Sequence, residues 1–216
     1  MEIERLAHRG FWHQPSEKNT QIAFKRALEA DFGIETDLRD HGGIPVISHD
    51  PPNGPVELTF EQFLQLYKEQ DSDATLALNI KADGLAAPVK RLLRDYEVQR
   101  YFVFDMSIPD MLHYLRAGLA TFCRQSEYEN PGFLAAEDGI PAIQGIWLDS
   151  FRSIWYSTDV IRVHLQQGRD VCLVSPELHR RDHASTWDQW RHFVAQTITE
   201  DMHGKLLLCT DYPDQF

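Results

Sequence analysis

The chain has 216 residues, 43% of them hydrophobic and 25% charged, which suits one soluble domain with a sizeable core; no Pro/Ser/Gly-rich stretch divides it. A formal net charge of −12 repels a phosphate backbone and an anionic membrane surface, so nucleic acid is excluded as an expected partner and a small anionic substrate needs basic residues gathered locally. Cys123, Cys172 and Cys209 are odd in number, far apart and set in apolar runs, and they read as buried free thiols of a reducing compartment. The N-terminus lacks the pattern of a signal peptide and no apolar run approaches the ~20 residues of a membrane helix, so a cytoplasmic protein is expected.

Short apolar runs alternate with longer amphipathic ones. Ile3 to Ala7 is a first predicted strand, followed by a helix over Thr20 to Ala30 that Asn19 can cap. Phe32 to Leu38 is a second strand; after the turn His41-Gly42-Gly43, Ile44 to Ser48 runs back beside it. A helix over Thr59 to Tyr67, with Thr59 as N-cap, leads to a third strand at Thr75 to Ile80. Ala86 to Asp95 is a helix with Pro88 near its start, Tyr101 to Phe104 a fourth strand, and Ile108 to Arg116 a helix. Leu119 to Arg124 is a fifth strand, and a weak helical segment is read near Phe133 to Glu137. Gly145 to Leu148 is a sixth strand, and Thr158 to Gln167 a helix ended by Gly168. Val171 to Val174 is a seventh strand, Trp187 to Glu200 a helix rich in tryptophan and histidine, and Lys205 to Cys209 an eighth strand.

Eight strands alternating with helices imply parallel pairing and right-handed crossovers, and they fit a closed (β/α)8 barrel as a single domain over residues 1–216. That length is below the ~250 residues usual for the fold, so short loops are expected. A doubly wound open sheet would want a Gly-rich phosphate loop after the first strand, and His8-Arg9-Gly10 is not one.

Barrel enzymes place their chemistry at the C-terminal strand ends. The first strand ends in His8 and Arg9, the second carries Glu35 and Asp37, its return arm ends in His49 and Asp50, and the third carries Asn79 and Lys81. Glu35 and Asp37, spaced i, i+2, share one strand face and repel unless a cation or proton lies between them; hard oxygens suit Mg2+ or Ca2+. Pairing with Arg39 or other cations is the plainer account, although a barrel strand covered on both faces rarely carries charge without reason. His8 and His49 can serve as acid and base, while Arg9 and Lys81 either grip a phosphate or neutralise the two acids. Phe11, Trp12, Trp147 and Trp155 are aromatic residues that pack a core or rim, or line a pocket, and the Trp187/Trp190/His192 helix packs on the barrel or forms a subunit interface.

These residues resemble the glycerophosphodiester phosphodiesterase family, whose members carry His-Arg-Gly, Glu-Asn-Thr, an Ala-containing helix, Glu-x-Asp on the second strand and His-Asp after a hairpin. Here the order is His8-Arg9-Gly10, Glu17-Lys18-Asn19-Thr20, Ala23 with Ala27, Glu35-Thr36-Asp37 and Pro45-Val46-Ile47-Ser48-His49-Asp50; Thr210-Asp211-Tyr212-Pro213 is similar to the family's ending. The strong match covers residues 5–50. The resemblance implies a (β/α)8 barrel, a divalent cation, and cleavage of a small-molecule phosphodiester to an alcohol and a phosphomonoester. By position it makes His8 and His49 the acid–base pair, Glu35 and Asp37 metal ligands, and Arg9 a phosphate ligand. Two departures stand out. The family's third strand reads Glu-x-Lys, and here it is Asn79-Ile80-Lys81, so Asn79 offers a carbonyl without charge, and either metal affinity falls or another acid helps, Asp149 being one candidate and Glu127 and Glu177 others. The insertion that shapes a glycerol pocket is short, residues 51–58 holding three prolines and little else. A hydrolase is thus expected. Its rivals are a barrel that binds a phosphorylated ligand without turnover, and a lyase in which a substrate hydroxyl attacks and a cyclic phosphate is released.

Overall fold

The computed structural model describes residues 2–197 and 202–216. In chain order the elements are β1 (Ile3–His8), α1 (Gln21–Glu29), β2 (Gly33–His41), β3 (Ile44–Ile47), α2 (Phe60–Glu69), β4 (Leu76–Ile80), α3 (Ala86–Asp95) and β5 (Tyr101–Phe104). Then follow α4 (Ile108–Arg116), β6 (Phe122–Gln125), β7 (Gly145–Leu148), α5 (Thr158–Gln166), β8 (Asp170–Val174), α6 (Ala184–Thr197) and β9 (Leu206–Thr210). The strands lie in the order β5-β4-β2-β1-β9-β8-β7-β6 with parallel neighbours. A single parallel bridge from Val103 to Thr121 draws β5 and β6 together, and Val103 N–H donates to the Ala120 carbonyl at 2.8 Å. The result is a nearly closed (β/α)8 barrel. β3 is no barrel strand; it runs antiparallel to the end of β2, from Leu38↔Ile47 to His41↔Ile44.

Local chemistry explains three of the helix starts. Thr59 and Gln62 cap α2 reciprocally, the Thr59 hydroxyl accepting from Gln62 N–H at 3.1 Å and the Gln62 side chain accepting from Thr59 N–H at 2.9 Å. Ser107 caps α4 and Ser157 caps α5. Gly168, at φ +75°, takes the left-handed turn that follows α5.

Four expectations differ from the structure. Thr20, not Asn19, occupies the N-cap position of α1, and Asn19 (φ +60°) turns its amide toward the barrel mouth. No helix forms near Phe133 to Glu137: residues 134–139 are exposed, and the segment is tied instead by an antiparallel bridge between Glu137 and Ile140 and by Ile143 N–H donating to the Phe133 carbonyl at 2.8 Å. Without a face to bury, a helix there has nothing to hold it. The fifth barrel strand runs from Phe122 rather than from Leu119, the residues ahead of it meeting β5 only through the single Val103–Thr121 bridge. α6 begins three residues before Trp187, at Ala184; positions 198–200 of the predicted helix lie outside the described residues.

Two apolar layers result. Between strands and helices lies the larger one, including Phe24, Phe60, Phe63 and Tyr114; Trp187 and Trp190 bury α6 against it, while His192 is exposed. Inside the barrel, Leu6, Ala77, Cys172, Leu207 and Cys209 fill one side and Phe102, Phe104, Phe122 and Trp147 the other. Phe102 stacks on Phe122 at 3.9 Å and Phe104 on Trp147 at 4.0 Å. All three cysteines are buried and free. Burial pushes the Cys172 and Cys209 thiols well up, so they are packing groups rather than nucleophiles.

Candidate active site

At the C-terminal ends of the strands lies a pocket of about 330 Å3, floored by Trp147 and Val174. One wall comes from β1, β2, β4 and β5 and presents His8, Arg9, Glu35, Asn79, Lys81 and Asp105; the other comes from β6, β7 and β8 and presents Arg124, Asp149, Phe151 and His179. A second cavity of about 350 Å3, around Arg100, Asp170 and Lys205, lies at the opposite, N-terminal ends of the strands, where barrels do not place their chemistry.

The first wall is set by the turn after β1. Gly10 (φ +86°) lies so close to α1 that a Cβ would stand 2.8 Å from the Ala23 Cβ, which gives the small residue at Ala23 its purpose. Arg9, also left-handed (φ +60°), donates its N–H to the Glu35 carbonyl at 2.9 Å, and its Nε lies 3.1 Å from Asp37 Oδ2. Asn19 donates to the same Asp37 oxygen at 2.9 Å and accepts from the Thr36 hydroxyl at 2.8 Å. Glu17 holds this loop by accepting from Arg26 and from the His13 and Gln14 N–H groups, and these bonds keep its carboxyl down at about 2. Lys81 bridges Asp37 Oδ1 at 3.7 Å and Asp105 Oδ2 at 3.2 Å. Arg39 is spent elsewhere, donating to the His49 and Lys81 carbonyls.

His8 places Nδ1 2.6 Å from Asp211 Oδ1, just beyond β9, and Nε2 3.9 Å from Glu35 Oε2. Asp211 also receives Lys18 at 3.3 Å, whose ammonium lies over the Trp12 ring. Burial works against ionising Asp211, but the bond and charge of His8, with Lys18, hold it below the usual carboxylate range. Glu35 behaves oppositely: burial first, then the neighbouring Asp37, push its carboxyl up against the pull of His8, Arg9 and Lys81.

On the second wall, His179 Nε2 lies 2.7 Å from Asp149 Oδ1, and the His179 ring packs 4.9 Å from Phe151. Asp149 is 3% exposed; its Oδ1 also accepts Ser150 N–H at 2.7 Å, and its carbonyl accepts Trp155 Nε1 at 2.7 Å. Arg124 pairs with Asp105 and approaches Asp149 at 3.9 Å, its guanidinium 5.4 Å from the Phe151 ring.

The donor set suits a single hard cation in type, though it is lean in charge. Glu35 and Asp37 are 1% and 0% exposed, and Asn79, the register partner of Asp37, donates its amide to Glu35 at 3.3 Å. Asp37 Oδ1 and Asn79 Oδ1 are buried without any hydrogen bond. Two buried oxygens without a hydrogen bond, one of them met only by the Lys81 ammonium at 3.7 Å, beside a carboxyl that resists ionisation, are what a divalent cation on oxygen ligands would resolve. Among the described residues no group of three or more His, Cys, Asp or Glu gathers as a cation site. Asp149 does not join the pair: β7 is four strand positions from β2 in either direction around the barrel. Glu177 is committed to Thr210, Ser175 and Asp211 N–H, and Glu127 to the Phe151 and Arg152 N–H groups.

The structure therefore gathers His8, Arg9, Glu35, Asn79 and Lys81 on one wall, with Asp37 buried behind them against Arg9 and Lys81, and Asp149 on the other. It does not bring His49 into the pocket lining: that imidazole is 48% exposed and lies 2.8 Å from the exposed Asp50. Of the aromatic candidates, Trp147 alone lines the pocket; Phe11 packs on Phe32, and Trp12 and Trp155 brace backbone carbonyls. Sequence reasoning missed Asp105, Arg124, His179 and the partnership of Asp211 with His8. The position of Asp105 and Asp211 directly after a strand, and of Arg124 within one, was the available signal; His179, at the end of a 3-10 turn (Pro176–His179), had none.

No family model matches the chain, and no curated protein matches it in sequence. Solved structures match its fold over nearly its whole length. One is a Galdieria sulphuraria protein assigned as a glycerophosphodiester phosphodiesterase (TM-score 0.73, 16% identity, 99% of this chain and 96% of that one). Another is the glycerophosphodiester phosphodiesterase of Agrobacterium tumefaciens (0.69, 14%, 100% and 99%). A third is a Ca2+-dependent phosphatidylinositol-specific phospholipase C of Streptomyces antibioticus (0.59, 11%, 98% and 95%). The chain thus shares its (β/α)8 fold with these three proteins. No helix among the described residues is long and apolar enough to cross a membrane.

Proposed function

We propose that this chain is a phosphoric diester hydrolase that cleaves a small-molecule phosphodiester at the barrel mouth. The observation that carries the reading is the His8–Asp211 pair at 2.6 Å, which anchors Nδ1 and leaves Nε2 facing a pocket lined by Arg9, Lys81 and Arg124. An imidazole so held moves a proton at Nε2, and a carboxylate on its far nitrogen stabilises the imidazolium that forms. The three basic side chains bind and orient the phosphoryl oxygens, Arg9 and Arg124 with the geometry for two-oxygen contacts. Glu35, Asp37 and Asn79 would hold a divalent cation, Mg2+ or Ca2+, which when bound supplies positive charge to the phosphoryl oxygens.

The test is turnover of a panel of glycerophosphodiesters and an aryl phosphodiester with Mg2+, with Ca2+ and with chelator, His8→Ala as control. Turnover that needs a cation and falls ~10²–10⁴-fold in His8→Ala is expected. An inactive wild type that still binds a phosphorylated ligand would replace the hydrolase with a binding barrel. A cyclic phosphate as the final product would replace it with a lyase.

A further inference from the structure

Cleavage of a phosphodiester needs two proton movements. The bond from the attacking oxygen to phosphorus forms as the bond from phosphorus to the leaving oxygen breaks. One group accepts the proton of the attacking oxygen, and another delivers a proton to the leaving oxygen. His8 supplies one. We infer that His179, positioned by Asp149, is the second; this rests on the phosphodiesterase reading above.

His179 repeats the arrangement of His8. One ring nitrogen lies on a buried carboxylate, Nε2 to Asp149 Oδ1 at 2.7 Å, and the ring lines the same pocket. The other nitrogen, Nδ1, has no hydrogen bond among the described residues and is free to meet a substrate oxygen. Asp149 is fixed in turn by Ser150 N–H and, through its carbonyl, by Trp155 Nε1, both at 2.7 Å. Support of this kind holds a catalytic imidazole in one tautomer and orientation.

The plainer account, that His179 pins its own turn, has less work to do. Glu177 already ties that turn to Ser175, to the Thr210 hydroxyl at 2.5 Å and to Asp211 N–H at 3.1 Å. The rival for the chemical role, His49, faces Asp50 outside the pocket lining.

The experiment is kcat/KM against pH for wild type, His179→Gln, Asp149→Asn and His49→Ala on the best substrate of the panel, with thermal melting of each. A wild type with two groups in proton transfer gives a bell-shaped profile. His179→Gln is expected to lose ~10²–10⁴-fold in kcat/KM and one limb of the bell, while melting as wild type does. Asp149→Asn is expected to keep both limbs with one displaced. A His179→Gln enzyme with both limbs intact, whatever its rate, overturns the inference, because a merely structural loss lowers the curve without reshaping it. Loss of a limb in His49→Ala instead overturns it also. A wild type inactive on every diester sinks the phosphodiesterase reading itself, and the inference falls with it; the wild-type curve tells the two failures apart.

Discussion

The two walls of the pocket are held by different means. On the β1–β2–β4 side, backbone bonds carry the load: Arg9 N–H to the Glu35 carbonyl, Lys81 N–H to the Leu38 carbonyl at 2.8 Å, and the parallel register that sets Asp37 beside Asn79. On the β6–β8 side no helix stands between β6 and β7, and side chains clamp loops: Glu127 on the Phe151 and Arg152 N–H groups, Trp155 on the Asp149 carbonyl, Arg181 on the Ser150 hydroxyl at 3.0 Å. A ladder yields its geometry to many residues together, whereas a clamp depends on one. The strand geometry of the first wall should therefore fail through its backbone, and the loops of the second through single side chains.

The largest effect is expected where the two ends of the chain meet on the first wall. Asp211→Asn removes the charge behind His8 and should lower kcat ~10²–10⁴-fold with a fold that melts near wild type, read by steady-state kinetics beside calorimetry. Next, Gly10→Ala sets a Cβ against Ala23 at positive φ and should cost about 2–4 kcal/mol in urea unfolding; no measurable cost would mean that the turn after β1 is not the constraint described.

The second wall has an acid weakness. His164 donates from Nε2 to the Gln125 side chain at 2.8 Å while Arg169 donates to its Nδ1 at 3.1 Å, and burial, with the Arg169 charge, depresses it from 6.5 to about 4. Between those values the unfolded chain takes up a proton that the folded chain refuses, so stability is complete above pH 6.5 and declines as pH falls toward 4. The decline should reach about 2 kcal/mol by pH 4.5 and vanish in His164→Gln, compared by urea unfolding at pH 7 and 4.5. Smallest is Glu127→Gln, which loosens one clamp. A few-fold rise in KM is expected, with a melting temperature lowered by no more than ~4 °C; an unchanged KM would separate that loop from the substrate.

The same contrast governs what could be read from the sequence. β1, α1, β2 and the β3 arm are consecutive, so the spacing of His8, Asn19, Glu35 and Asp37 encodes their meeting directly, and the resemblance over residues 5–50 follows that stretch. Alternation of apolar runs was enough for the barrel, since each strand is covered on both faces. The second wall draws single residues from separate strand ends, Arg124, Asp149 and His179, whose proximity exists only after closure. The weak helical segment read near Phe133 to Glu137 does not form, because its residues 134–139 have no face to bury. His49 illustrates the limit from the other side. Its motif is plain, yet side-chain direction at the end of a hairpin arm is set by contacts that no spacing records.

His8 and Asp211 are 203 positions apart, and β9 pairs with both β1 and β8. On the ribosome, at roughly 5–20 residues per second, the histidine waits about 10–40 s for its carboxylate. The nascent chain therefore carries its most legible motif from the outset, yet His8 gains its carboxylate only when β9 pairs with β1 and β8, so that completion of this side of the pocket and joining of the two ends of the sheet are one event.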